Sequence, residues 1–506
     1  MPKPGEPVKV GVEEEFHVVD LRTRHLAARS GLLLEALPPA RFTHELQRSM
    51  VESNSLPFRG LTDLAGDLCG MRAALVREAE ALGLGVVAAG SPQLVDEDQL
   101  KIFPDPRYER MLIDFQVLTR EQLICGMHVH AEVRDRELAV AVAHRLAPWL
   151  PPLLALSASS PFWDAADTGY ASYRTLVWQR WPTTGPMASY GSAAEYQQMI
   201  DTLIRSGVIA DPGMIYFDIR PSCHLPTVEL RICDSCPRLS DVVLIAGLFR
   251  ALVATELEAA RRGDGREVRL EAVRAATWQA ARSGLEGELV DPVEGVPRPA
   301  AEVIARLLDR ARPHLVEAGD WELVSALARQ ASARGSSAAR QRAAHARRGR
   351  LEDVVDLLLA ETRSCDWSPT PSDPRPDHRP DARPGPDPEP EPDHRLDPGP
   401  DPEPEPDHRL DPGPEPTPGP DHQTVHRTDP QPGHQTDHRT DPRPDHQTGH
   451  QTGHQTGHQT GHQAELWTDS HAGPRPGSHS DLRTDPHTDP HTDPHTDPRP
   501  DHRPAV

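Results

Sequence analysis

The sequence predicts an α+β protein built on an antiparallel sheet, followed by a long extension with no core of its own. Three observations carry that prediction. Val-rich alternating segments come in pairs, helical patterns come in runs, and the composition changes abruptly near residue 368. Strands that alternated singly with helices would point instead to a doubly wound parallel sheet.

Residues 8–20, VKVGVEEEFHVVD, alternate and are rich in Val, which predicts a strand. Leucines and alanines recurring at steps of three and four predict a helix from about Leu61 to Leu82. The segment LICGMHVHAEV, 123–133, reads as a second strand, and 134–158 as helix interrupted by prolines. Two further strands are expected at 214–220 (MIYFDIR) and 227–233 (TVELRIC), separated by a short turn-rich stretch. Residues 240–262 and 299–362 carry the pattern of amphipathic helices.

Beyond residue 368 lie 32 of the 55 prolines and 18 of the 27 histidines, while Trp467 is the only aromatic residue there. A segment so poor in apolar side chains cannot offset the entropy of ordering itself. We therefore expect a folded domain at 1–368, which must hold whatever chemistry the chain performs, and a disordered Pro/Asp/His-rich tail at 369–506. The tail holds a near repeat, PDHRLDPGPDPEPE, then HQTG and DPHT units. These are too short and too polar to stack as a solenoid. Their histidines offer weak sites for soft divalent metals, or the tail is a low-complexity extension and nothing more.

The net charge is -23. The tail contributes 27 acids against 12 arginines, or -15, which leaves -8 for residues 1–368. Neither part is basic, which argues against nucleic acid or an anionic membrane as partner and leaves room for a local basic cleft. The N-terminus lacks an apolar stretch of signal length, and the most apolar segment, Leu146 to Trp163, contains Pro148, Pro151, Pro152 and Pro161. A soluble cytoplasmic protein is expected. Six cysteines are too sparse to staple a domain of this size, so reduced thiols are expected as well. Cys233 and Cys236 form a CxxC near Cys223 and His224, a conceivable zinc site that lacks the usual second pair.

The informative feature is chemical. Three expected strands carry polar groups two residues apart, and residues i and i+2 of a strand share a face. Glu13 pairs in this way with Glu15, His128 with His130, and Glu229 with Arg231. Three such pairs facing an apolar core would cost several kcal/mol unless they met a metal or a ligand, so they require a common polar cavity. Carboxylates with imidazole suit a hard divalent cation bound beside phosphate oxygens, and arginine neutralises the phosphate charge that remains. The combination implies phosphoryl chemistry on a nucleotide. A P-loop is excluded because no GxxxxGK[ST] exists, and GLGVVAAG at 83–90 lacks the GxGxxG spacing of a dinucleotide site. Taken singly, each pair has a bland alternative: a solvated strand edge, hydrogen-bonded structural histidines, or a surface ion pair. Their joint occurrence favours the cavity.

The motifs that carry these residues, G-x-E-x-E-F (Gly11 to Phe16), G-M-H-V-H (Gly126 to His130) and T-V-E-L-R-I-C-D (Thr227 to Asp234), resemble the carboxylate-amine ligase family called glutamate-cysteine ligase type 2, in the glutamine synthetase-like superfamily. RYERM at 107–111, DTGYASYR at 167–174, RWPTTGP from Arg180, DPGMIYFDIRPS at 211–222 and AARQR at 338–342 extend the resemblance through most of 8–363. It implies a curved antiparallel sheet whose concave face holds metal ions, ATP and amino acid. It also implies an ATP- and Mg²⁺-dependent ligase that phosphorylates the γ-carboxylate of L-glutamate and passes the acyl group to an amine, usually that of L-cysteine. By motif position Glu13, Glu15, Glu52, His128 and Glu229 look like metal ligands. His130 and Arg231 look like catalytic contacts to the nucleotide phosphate, and Arg174 and Arg220 resemble substrate-binding arginines. FWDAAD at 162–167 departs from the pattern by carrying Ala165 where a glycine is common, and the tail has no counterpart. The acceptor amine and the oligomeric state are left open, and a metal-handling protein on a retired enzyme fold is the competing class.

Overall fold

The computed structural model describes residues 7–265 and 267–367, so the expectations of disorder and metal binding in 369–506 lie outside the described residues. The strands that matter to the site are β1 (Val10–Asp20), β2 (Phe42–His44), β3 (Met50–Asn54), β4 (Leu84–Val87) and β5 (Met127–Glu132). The small hairpin of β6 (Phe162–Trp163) and β7 (Ala166–Asp167) stands apart, and β8 (Ile219–Pro221) and β9 (Thr227–Leu230) complete the set. Seven of them form one sheet in the order β2-β3-β1-β5-β9-β8, with β4 paired to the far end of β1. Every ladder in it is antiparallel, as the α+β expectation requires.

Strand alternation makes the two faces of this sheet chemically different. Val12, Val129, Leu230 and Ile219 oppose one another across β1, β5, β9 and β8 and are buried. One residue along, Gly11, His130, Glu229 and Arg220 oppose one another, and because side chains alternate, this row lies on the opposite face. The apolar face packs on the helices Leu61–Ala81, Arg136–Leu146 and Leu239–Arg261. Helix 239–261 is buried along most of its length, and each large aliphatic side chain it buries adds about 1.5–3 kcal/mol. At Gly247 the helices come close together, since a Cβ there would stand 2.8 Å from Leu61 and from Val324.

One charge lies on the apolar face. Glu14, between Glu13 and Glu15 and therefore pointing the other way, is fully buried against Arg72 of helix 61–81, with Nη2 2.5 Å from Oε1. Arg72 also donates to the carbonyls of Cys236 and Pro237, so the pair fastens the strand, the helix and the β9 exit together.

The helices at 61–82, 134–158, 240–262 and 299–362 form close to their expected limits, the last as four helices between Ala300 and Arg363. Three strand expectations shorten: 214–220 joins the sheet only from Ile219, being preceded by the tight 3-10 turn Pro212–Met214, 123–133 forms a strand only over 127–132, and 227–233 only over 227–230, with single bridges at Phe217 and between Gly126 and Asp234 beyond them. The FWDAAD departure is a two-residue hairpin turn in which Asp164 and Ala165 have φ of 50° and 57°. Glycine adopts that left-handed region freely, whereas a Cβ makes it costly.

The expectation of reduced thiols is corrected at one place. Cys69 and Cys365 form a disulfide, because helix Leu351–Arg363 returns beside helix 61–81 and brings their Cα atoms to 5.4 Å. A separation of 296 residues hides that proximity in the sequence. The other four cysteines are free.

Candidate active site

On its polar face the sheet forms the floor of a cavity of about 650 Å³, and the register explains which side chains meet there. Glu52 and Glu15 stand opposite each other on β3 and β1, with Thr43 of β2 beside Glu52. Glu13 stands between Asn54 and His128, and His130 opposes Glu229, which opposes Arg220. Glu13, Glu15, Glu52, His128, His130, Glu229, Arg231, Arg174 and Arg220, the residues singled out in the sequence, all line this one cavity.

The contacts are close. His128 Nδ1 is 3.1 Å from Glu13 Oε2, and its Nε2 is 3.8 Å from Glu15 Oε1. His130 Nε2 is 3.1 Å from Glu13 Oε1, while its Nδ1 is fixed 2.9 Å from Thr227 Oγ1. The Gly126 amide donates to Glu15 over 2.5 Å. Glu229 receives Arg220 Nε at 2.9 Å and Nη2 at 3.3 Å, and Arg231 contacts its Oε1.

These environments divide the carboxylates into two kinds. Burial would raise Glu229, but the charges of Arg220 and Arg231 outweigh it and hold the carboxyl well below its ordinary range. Glu13 is held low in the same sense: burial opposes ionisation, and the charge of His130 with hydrogen bonds from both histidines overcomes it. In the other kind, burial and neighbouring acids outweigh whatever cation is near. Burial and then the charge of Glu15 push Glu45 up to about 7. Burial and then the charges of Glu13, Glu45 and Glu15 push Glu52 well up. Burial and the neighbouring Arg231 lower His128, whereas the Glu13 charge overcomes burial at His130 and raises it.

Three overlapping sets of ligand atoms result. Glu13, His130 and Glu229 form one, Glu13, Glu52 and His128 a second, and Glu15, Glu45 and Glu52 a third, with the atoms of each set within 4.8 Å of one another. Mostly carboxylate donors with imidazole fit a hard divalent cation, and like-charged acids held this close are the expected cost of such a site. No cysteine belongs to any set among the described residues. Cys233 and Cys236 instead turn to the carbonyls of Leu153 and Ser157, and Cys223 turns to Pro212, so the zinc alternative is not assembled.

Arg174 is buried below the cavity wall and donates to the carbonyls of Ile232 and Arg231. Its backbone N–H donates to Ser160, whose hydroxyl is held by Asp234, the last residue of TVELRICD. Arg174 and Arg231 both lie against the Trp178 ring, at 5.8 and 5.9 Å. Sequence reasoning missed Glu45, Tyr108 and Trp178. Glu45 had a readable signal: Thr43 and Glu45 are two residues apart next to a strand that faces Glu52, but β2 is only three residues long. Trp178 follows the DTGYASYR motif on a short helix, Tyr173–Trp178, that no periodicity marks.

An antiparallel sheet with one apolar face under helices and one face lined by acids, imidazoles and arginines around a cavity defines a class of protein with a polar ligand site on its sheet. The chain belongs to glutamate-cysteine ligase family 2, whose family model matches residues 9–357. A relative from Frankia alni, provisionally named glutamate-cysteine ligase 2-3, is 57% identical over 357 residues, which is 70% of this chain and 42% of the relative. The chain thus spans less than half the length of that protein. A relative from Mycolicibacterium smegmatis, provisionally named glutamate-cysteine ligase 2-2, is 53% identical over 358 residues, covering 70% of this chain and 90% of the relative. Among solved structures, the glutamate-cysteine ligase of Francisella tularensis in complex with AMP has a TM-score of 0.54 at 12% identity, covering 71% of this chain and 88% of that one. A bifunctional glutathione synthetase from Pasteurella multocida also gives 0.54, at 15% identity over 71% and 52% of the two chains. At those identities the likeness is one of fold.

Proposed function

We propose that this chain is an ATP- and Mg²⁺-dependent carboxylate-amine ligase that joins the γ-carboxylate of L-glutamate to the amine of L-cysteine through a γ-glutamyl phosphate. The observation that carries the reading is the row of carboxylates and imidazoles laid by register across the floor of one cavity, with arginine beside it. Family membership supports the same chemistry, and the AMP complex of the Francisella protein supports a nucleotide site on this fold.

Glu13, Glu15, Glu52, His128 and Glu229 would hold the Mg²⁺, and Glu45 completes the most acidic of the three sets. Bound there, Mg²⁺ supplies charge neutralisation between the phosphate and the carboxylate that approaches it. The rest falls to the chain itself. Arg231 spends one guanidinium nitrogen on Glu229 and lines the cavity, which sets its charge beside an entering phosphate. His130 is fixed through Nδ1 by Thr227 and turns Nε2 toward the cavity. Arg220 spends its donors on Glu229 and on the carbonyls of Gly213 and Ile215, which makes it the residue that positions Glu229. Trp178 and the apolar cavity wall exclude water from an acyl phosphate that would otherwise hydrolyse.

The test is ADP release with glutamate, Mg²⁺ and a panel of amines. Cysteine is expected to be the best acceptor, and Glu15→Gln is expected to abolish turnover while leaving the unfolding midpoint within a few degrees of wild type. Turnover by Glu15→Gln at the wild-type rate would refute the assigned site, and a preference for another amine would replace cysteine alone.

A further inference from the structure

An amino acid brings an α-carboxylate in addition to the group that reacts, and that charge requires a cation it can reach whose present partner can be exchanged. The cavity is lined by Arg41, Arg107, Arg174, Arg220 and Arg231. Arg41 is committed to Asp67 and to the Asn54 carbonyl. Arg220 is committed to Glu229 and two carbonyls, Arg174 gives two carbonyls its terminal nitrogens and is sealed from solvent, and Arg231 stands at Glu229, where phosphate is expected.

Arg107 differs from all four. It opens the helix Pro106–Phe115, which Asp105 caps by accepting from the Arg107 N–H over 2.8 Å. Its guanidinium meets Asp211 through Nε at 3.1 Å and Nη2 at 3.5 Å, a long fork with both side chains 39% exposed. Asp211 is outside the cavity lining and already caps the 212–214 turn, where its Oδ1 accepts from Gly213 over 2.8 Å. The same helix delivers Tyr108 and Met111 to the cavity wall and ends at Gln116, a non-glycine residue with φ of 52°. A carboxylate thus already occupies the fork of the most exposed arginine in the cavity lining, and it is a carboxylate with a second role to return to.

We propose that Arg107 is the receptor for the α-carboxylate of an amino-acid substrate, exchanging Asp211 for the substrate when it enters the cavity. This inference rests on the ligase reading above. The carboxylate comes from the donor glutamate or from the acceptor amino acid, and the test separates the two.

Steady-state kinetics of wild type, Arg107→Gln and Asp211→Asn decide it, with cysteine and its decarboxylated analogue cysteamine as acceptors. Arg107→Gln should raise the KM of one substrate on the order of tenfold to a hundredfold, with kcat changed only a few-fold. If that substrate is glutamate, its KM rises with either acceptor. If it is cysteine, the KM of cysteamine stays put. Asp211→Asn releases the guanidinium and should lower or hold the same KM. A purely structural pair would give both variants the same increase in KM and the same drop in Tm, and that result, like an unchanged KM in Arg107→Gln, overturns the proposal. Thermal shift keeps the test independent of turnover: glutamate or cysteine should raise the Tm of wild type and not that of Arg107→Gln. If wild type binds one of them but releases no ADP with any amine, the ligase reading fails and Arg107 is still tested by the shift. If neither shifts wild type, the receptor does not exist.

Discussion

Glu45 shows most directly how single residues set the behaviour of this site. Its carboxyl is held up to about 7, first by burial and then by Glu15, so below that pH it carries a proton that a cation must displace. Mg²⁺ affinity is therefore expected to rise with pH toward about 7, by up to about tenfold per unit for one proton, and to flatten above it as far as Glu45 contributes. Calorimetry in two buffers of different ionisation enthalpy would show proton release at pH 6, and Glu45→Gln should reduce it, leaving the share of Glu52, which is held up as well. A cation affinity independent of pH between 5.5 and 7.5 would contradict the account. The pairs Glu13/Glu15, His128/His130 and Glu229/Arg231 were legible in the sequence because strand periodicity of two places such residues on one face. Glu45 left only the faint signal of its spacing from Thr43 beside a three-residue strand, and Tyr108, on a loop-borne helix, left none. Nor does spacing reveal that Arg220 is consumed by Glu229, which is a fact of register between β8 and β9.

Among the elements, β1 carries the most information, because it places acids on both faces at once. Glu13 and Glu15 reach the cavity, while Glu14 is sealed against Arg72 on the helix side. Three consecutive glutamates look like a solvated run, and only strand alternation separates the cavity acids from the internal ion pair. Removing one partner leaves a buried charge uncompensated, so Glu14→Gln should cost about 3–5 kcal/mol in denaturant unfolding. Replacing both members together with apolar residues of similar volume should recover much of that loss. A cost below about 1 kcal/mol would mean that Arg72 finds other partners. The long amphipathic helices were legible for the same reason as β1, since their period persists over several turns. The short strands β2, β3 and β4 were not, because they are specified by their pairing, β3 and β4 with β1 and β2 with β3, rather than by their own composition.

For the whole molecule, the Cys69–Cys365 bond closes a span of 296 residues and ties the end of the last helix to helix 61–81. That helix also holds Glu361 against Arg340, and the neighbouring Gln341 donates to the Ser159 carbonyl behind the cavity. Reduction, or Cys365→Ser, is expected to lower stability by about 2–5 kcal/mol, seen as a fall in Tm with dithiothreitol that the variant does not show. Equal midpoints in the two redox states would show that the bond contributes nothing. The central claim, however, is chemical: the acid row serves phosphoryl transfer onto a carboxylate. Glutamate labelled with ¹⁸O in its γ-carboxylate tests it most directly, because the oxygen that attacks phosphorus stays with phosphorus when the amine takes the carbonyl carbon. The account predicts one labelled oxygen in each phosphate released as amide forms. Amide product accompanied by unlabelled phosphate would contradict it.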